Sequence, residues 1–256
     1  MRIAKKIVRY FIPLLGLSII WEFCSRNSDK INFLFSSPIA IAVKFWEKTM
    51  NGELIMHTSI TGFEAIVGLI TGVSIGSIIG FSLLYFPRTS NISKPYIVAL
   101  SSIPIFGIAP MMIIWFGTGL SMKIAMAFFS TVFTAILQAY QGGQDISEEE
   151  SIFFNLNGAT NNQKFWKLVF PSSMNWVLQS LKLNSGLAIL GAFIGEFIAS
   201  EKGLGYIILK ASGLYDVTYV LAAIICIILL SALFNFLVSI IEKNKLKIIR
   251  KISVRV

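Results

Sequence analysis

The chain has 256 residues, 55% of them hydrophobic and 14% charged, with a formal net charge of +9. That composition excludes an ordinary soluble domain, because the apolar runs are long enough to cross a bilayer, which takes about 20 residues as a helix. The runs are continuous rather than alternating, which favours helices over a β-barrel, and the basic excess reads as topological charge at a membrane face rather than as a nucleic-acid surface.

Arg2, Lys5, Lys6 and Arg9 precede an apolar run from Ile7 to Phe23. The pattern is that of a signal peptide, but bulky Trp21-Glu22-Phe23 stands where a small-residue cleavage site belongs. It reads as an uncleaved first span with the N-terminus in the cytoplasm. Residues Asn27 to Met56 are polar and mixed and belong outside, with Ser36-Ser37-Pro38 opening an amphipathic helix through about Lys48. Cys24 and Cys226 give neither a metal spacing nor a disulfide framework.

The second span is expected from about Thr58 to Phe86. It carries Gly68, Gly72, Gly76 and Gly80, a stripe of small residues at every fourth position. In lipid such a stripe lets two helix backbones approach closely, either as static packing or as a face against a moving neighbour. A cytoplasmic loop from Pro87 to Lys94 follows. The third span, Pro95 to Phe116, is interrupted by Pro104, Gly107 and Pro110. Interior prolines free carbonyls that protein or a water-filled cavity must satisfy, so these residues mark either a pathway or a simple kink. Gly117-Thr118-Gly119 turns outside, and a fourth span, Met122 to Tyr140, returns to the cytoplasm.

The next stretch is the one long polar segment of the chain. Asp145 or Ser147 can cap a helix whose first turn carries acids, including Glu149 and Glu150. Ile152, Phe153 and Leu156 make a short apolar face, Gly158 can end the helix, and Pro171 suits the start of the next. Two readings fit: a docking helix for a partner, or an amphipathic helix on the lipid surface. A fifth span from Asn175 to Ala199, an outer loop from Ser200 to Asp216 and a sixth span from Val217 to Ile241 complete the set. The fold class is an all-α polytopic membrane protein of about six transmembrane helices. Six spans put both termini on one side, and the Lys and Arg excess places that side in the cytoplasm.

Catalysis finds little support. Gly72-Val73-Ser74-Ile75-Gly76 matches a nucleophile-elbow pattern, but it lies inside a helical run. The single histidine, His57, would stand about 25 Å from Ser74 along one helix, and is read as interfacial. No phosphate-binding Gly-x-x-x-x-Gly-Lys-Ser/Thr loop is present, so nucleotide chemistry falls to a separate chain. Glu64 and Glu196 sit in apolar runs near the outer boundary, where each can reach water or pair locally. Lys182 is read as snorkelling. No cofactor or metal is called for.

Gly158, Leu168, Phe170 and Pro171 fit the spacing of the EAA loop of importer permeases. Ser36-Ser37-Pro38, Ile103-Pro104, Trp115-Phe116-Gly117-Thr118-Gly119, Gly195-Glu196-Phe197 and Gly203-Leu204-Gly205-Tyr206 follow in the same order as in that family. The chain thus resembles, over nearly its whole length, permeases of the nitrate/sulfonate/taurine branch of ATP-binding-cassette (ABC) importers. It departs where the Glu-Ala-Ala that names the loop falls on Ile152, Phe153 and Phe154, and where a common basic residue falls on Glu64.

The resemblance implies a type I, MetI-like permease core over 57–241, with its coupling loop at 142–174. An N-terminal helix plus an external segment would occupy 1–56, and a basic cytoplasmic tail 242–256. It implies a multi-pass protein of the plasma (inner) membrane, working as a homodimer in membrane lipid with a cytoplasmic ABC ATPase and an extracytoplasmic substrate-binding protein. Glu149, Glu150, Ile152, Phe153, Leu156, Gly158, Ala159 and Pro171 would couple it to the ATPase. Pro104, Gly107, Pro110 and Glu196 would lie on the path of a small polar solute: nitrate, a sulfonate or a heterocyclic vitamin precursor. The alternatives are a proton-coupled secondary transporter and a non-transporting scaffold.

Overall fold

The computed structural model describes the backbone of residues 2–253 and the side chains of 12–86 and 88–242. The predicted basic flank Arg2 to Arg9, the opening of the predicted first span and the basic tail from Lys243 onward lie outside the described side chains. The described residues form helices throughout: α1 Arg2–Asn27, α2 Asp29–Phe35, α3 Pro38–Met50, α4 Glu53–Tyr85, α5 Pro87–Ser101, α6 Ile105–Phe116, α7 Leu120–Gln144, α8 Glu148–Leu156, α9 Asn161–Lys164, a π-helical turn Phe165–Val169, α10 Phe170–Ala199, α11 Leu204–Gly213 and α12 Val217–Ser253. Among the described residues four stretches are long and apolar enough to span a membrane: Glu53–Tyr85, Leu120–Gln144, Asn161–Ala199 and Val217–Glu242. The pair α5 and α6, bent by 95°, makes a fifth.

The core is a three-helix seam of α4, α7 and α10. All four stripe glycines of α4 are buried, and they meet Ala127, Thr131, Ala135 and Ala139 of α7, themselves four residues apart. Two fourfold stripes therefore mesh along about three turns of helix. A Cβ on Gly76 would stand 2.6 Å from the Val132 carbonyl, and one on Gly80 2.7 Å from that of Ile136. These neighbours are backbone and cannot swing away, so the glycines set the approach distance. Leu69, Val73, Val177, Ala188, Ile189 and Ala192 fill the space around the seam.

Four boundaries differ from expectation. First, α4 begins at Glu53 rather than Thr58, because Gly52 takes the left-handed conformation (φ +76°) just before it. Second, the expected loop Pro87 to Lys94 is the first half of α5, with Pro87 in its first turn, where a missing N–H removes nothing from the helix. The bend falls at Ser102 to Pro104, and Pro110 stays inside α6.

Third, the helix expected to open at Pro171 opens at Asn161, under a reciprocal capping box between Thr160 and Gln163. Phe170 N–H reaches back five residues to the Phe165 carbonyl. This wider turn carries the helix past Pro171, which has no N–H to give. Finally, the expected outer loop 200–216 contains α11, packed through buried Leu204, Ile207, Ile208 and Ala211.

The connection holding α8 joins the end of α7 to the start of α9. Ring contacts between Phe81 and Phe170 and between Tyr85 and Phe165 place the end of α4 at the same pole. The start of α4 meets the segment around α11 at the opposite pole.

Candidate functional site

At the first pole α8 is a nine-residue helix with both ends closed. Ser147 Oγ accepts the Glu150 N–H at 3.2 Å, and Glu148, Glu149 and Glu150 occupy the first turn, where their charge complements the helix dipole. Gly158, at φ +67°, ends it, and the Ala159 N–H returns to the Phe154 carbonyl. Lys164 Nζ donates to Ser151 Oγ at 2.6 Å and ties α8 to α9. Ile152, Phe153 and Leu156 are 48%, 64% and 83% exposed, so the apolar face has no cover among the described residues. Phe154 is half-buried, and Pro171 is exposed in the first turn of α10.

The mount beneath α8 is close-packed. A Cβ on Gly142 would come within 2.8 Å of the Ser173 backbone. Ser172 Oγ donates to the Gly142 carbonyl at 3.0 Å, and Trp176 Nε1 to Asp145 Oδ2 at 3.2 Å. Tyr140 receives the Ser90 hydroxyl at 2.7 Å, joining α5 to the end of α7. These bonds join the ends of α5, α7 and α10 at the pole from which α8 projects.

Along the bundle, the elbow between α5 and α6 opens on a cavity of about 370 Å³. Its walls come from Leu100 to Trp115 and from Phe129, Ser130, Phe133, Thr134, Leu187 and Leu190. Pro104, Gly107 and Pro110 are exposed and do not line it; their neighbours Ile103, Ile105 and Met111 do. Pro104 makes the bend that creates the hollow, since its lack of an N–H stops α5 from continuing.

Glu196, grouped by sequence with the pathway, lies apart from this cavity. It is fully buried at the opposite pole, where it accepts the Thr61 hydroxyl at 2.6 Å and the Gly205 N–H at 2.8 Å. Thr61 Oγ1 in turn accepts the Leu204 N–H at 2.9 Å, and His57 Nδ1 the Gly203 N–H at 2.8 Å. His57 is thus a buried tether, 6% exposed. The signal for it was available: His57, Thr61 and Glu64 recur at helical spacing on one face of α4.

Glu64 lies within hydrogen-bonding reach of Glu196, and its second oxygen is buried without a partner. Nearby, Lys123 Nζ donates to the Thr118 carbonyl at 2.6 Å. Gly203 (φ +103°) and Gly205 leave no room for a side chain, which would run into Glu196. Lys48 and Glu53 pair at 2.7 Å at this pole, and that carboxylate holds the Lys48 ammonium above its ordinary value.

Two structural units emerge: a projecting, capped apolar helix at one pole and a sealed polar lock at the other, with a broken span between them. Residues 72–247 match the family model described as "Binding-protein-dependent transport system inner membrane component". The chain belongs to that family. This permease is 28% identical over 221 residues to the formylaminopyrimidine transport permease protein ThiX of Halalkalibacterium halodurans, covering 86% of the present chain and 87% of that one. It is 27% identical to the riboflavin transport system permease protein RibX of Chloroflexus aurantiacus, over 91% and 87% of the two chains. It is 26% identical to the putative aliphatic sulfonates transport permease protein SsuC of Bacillus subtilis, over 89% and 83%.

In fold it is similar to a chain of the inward-facing MetNI methionine ABC transporter, with a TM-score of 0.66 and 18% identity over 77% of this chain and 98% of that one. The permease is a multi-pass inner-membrane transport subunit of an ABC importer and not an enzyme; ATP hydrolysis belongs to a separate chain.

Proposed function

We propose that this permease forms, as a homodimer, the path for a small polar solute and couples it to a cytoplasmic ABC ATPase through α8. The observation that carries the reading is the exposed face of Ile152, Phe153 and Leu156 on a helix closed at both ends and tied to α9 by Lys164. Exposed apolar side chains on a short rigid helix gain stability by burial in a partner groove, about 1.5–3 kcal/mol for each large residue fully buried. Glu149 and Glu150 add a charged edge for basic groups on the ATPase, while Gly158, Ala159 and Pro171 set the angle at which α8 leaves its mount.

ATP-driven closure of the ATPase pair would draw two such helices together. The meshed α4–α7 seam would carry that motion as a rigid body toward the α5–α6 elbow. This orientation puts α8 and both termini in the cytoplasm, with α11 toward an extracytoplasmic binding protein. The relatives named above span formylaminopyrimidine, riboflavin and sulfonate transport, which supports a small polar solute. A proton-coupled carrier is less well supported, since Glu64 and Glu196 sit at the outer pole and Glu196 is occupied in holding the α10–α11 turn.

The test replaces Ile152, Phe153 and Leu156 together by Ser. The expected outcome is loss of ATPase copurification and of ATP-driven uptake, with an unchanged thermal unfolding midpoint of the permease. Retained copurification would overturn the reading.

A further inference from the structure

The cavity at the α5–α6 elbow has a definite chemical character. None of its lining residues carries a formal charge. Trp115, Phe129 and Phe133 supply aromatic surface, and Ser101, Ser130 and Thr134 supply hydroxyls. Two of those hydroxyl protons are already committed: Ser101 Oγ donates to the Val98 carbonyl at 2.7 Å, and Ser130 Oγ to that of Met126 at 2.8 Å. Each oxygen is then left with lone pairs only, so towards the cavity it accepts.

The bend adds backbone groups of both kinds. Among the described residues the carbonyls of the lining residues Ser101 and Ile103 receive no backbone N–H. The N–H of Ile105, a lining residue at the start of α6, likewise finds no backbone acceptor. A broken span within a membrane protein needs these groups satisfied by protein, water or a ligand.

Taking the permease reading as given, we infer that this cavity is a transient binding site for an uncharged, planar heteroaromatic solute bearing both an N–H donor and a ring acceptor. The aromatic walls match the ring faces. The hydroxyl lone pairs and free carbonyls match the donor, and the free Ile105 N–H matches the acceptor. A sulfonate or nitrate offers acceptors only. It would shed its hydration shell here without meeting a counter-charge, which is strongly unfavourable. The volume of about 370 Å³ lies at the small end of the roughly 300–1,000 Å³ of small-molecule sites, suiting one or two rings.

The experiment places the full chain in nanodiscs at mildly alkaline pH and measures binding of radiolabelled 4-aminopyrimidine by equilibrium dialysis, with benzenesulfonate as a competitor of similar size. The inference expects saturable binding that benzenesulfonate does not displace. It expects about fivefold weakening by Ser130→Ala, the loss of one hydrogen bond, and about tenfold by Trp115→Ala. Trp115→Phe, which keeps a ring and guards against a folding defect, should retain most of the affinity. Benzenesulfonate binding as tightly as the pyrimidine, absence of saturable pyrimidine binding, or affinity unmoved by Ser130→Ala and Trp115→Ala would each overturn the assignment. Copurification of the ATPase from native membranes is scored on the same variants. Failure of the solute class with copurification intact leaves the permease reading standing, whereas loss of copurification from the unaltered chain removes the reading beneath it.

Discussion

Gly76 of α4 and the Val132 carbonyl of α7 face each other with no space for a methyl group between them. Gly76→Ala is therefore expected to destabilise the permease by about 1–3 kcal/mol through forced separation of the helices. Gly107→Ala, with nothing within 4 Å of its added Cβ, should leave stability unchanged. Thermal unfolding in detergent compares the two, and equal midpoints would contradict the account of the seam.

A second residue-scale prediction concerns the buried carboxyls. Glu196 accepts from two donors, Thr61 and Gly205, whereas Glu64 has an oxygen with no partner. Glu196→Gln places an amide donor against a donor and is expected to lose about 1–3 kcal/mol. Glu64→Gln supplies an N–H toward Glu196 and should be neutral or stabilising. A larger loss for Glu64→Gln than for Glu196→Gln would show that the polar lock is organised around the other residue.

For α8 the relevant quantity is stiffness. Its nine residues are too few to hold a helix in water unaided, so the Ser147 cap, the Gly158 stop and the Lys164 strut determine whether it transmits a push. Ser147→Ala should cost the helix about 1 kcal/mol. The expected result is slower ATP-driven uptake at an unchanged amount of bound ATPase, because the apolar face survives while its mount softens. Uptake at the original rate would mean that capping plays no part in transmission. The same logic explains the π-helical turn before α10: the helix that carries α8 has to pass Pro171, and the widened turn allows it without a break.

Across the whole molecule, the two poles differ in kind. One exposes an apolar helix on a packed base; the other closes a glycine-bearing turn over buried polar groups. The proposed topology predicts that Ser151→Cys is labelled by an impermeant thiol reagent only from the cytoplasmic side, and Ser200→Cys only from the outside, in a background lacking Cys24 and Cys226. The reverse pattern would invert the mechanism.

The helical class, the glycine stripe and the capped central helix were legible in the chain because each depends on local periodicity, capping chemistry or spacing. Pro171 misled, since a proline marks a helix start in isolation and only its neighbours reveal whether the helix passes through it; Pro87, read as opening a loop, instead starts α5. The hydrogen bonds of His57 and Glu196 were not legible for a related reason: their backbone N–H partners stand 146 and nine residues away, which no local pattern displays.

By itself, then, the sequence determined the membrane class, the order of the helices and the presence of a projecting apolar helix between two spans. Those follow from hydrophobic period, turn residues and caps within a few positions of one another. Only the tertiary structure decided that α4 and α7 mesh through matched small residues, that Glu196 binds Thr61 and Gly205 at one pole, and that the bend at Pro104 opens an uncharged aromatic hollow. Each of these depends on which distant surfaces the packed backbones bring within contact distance.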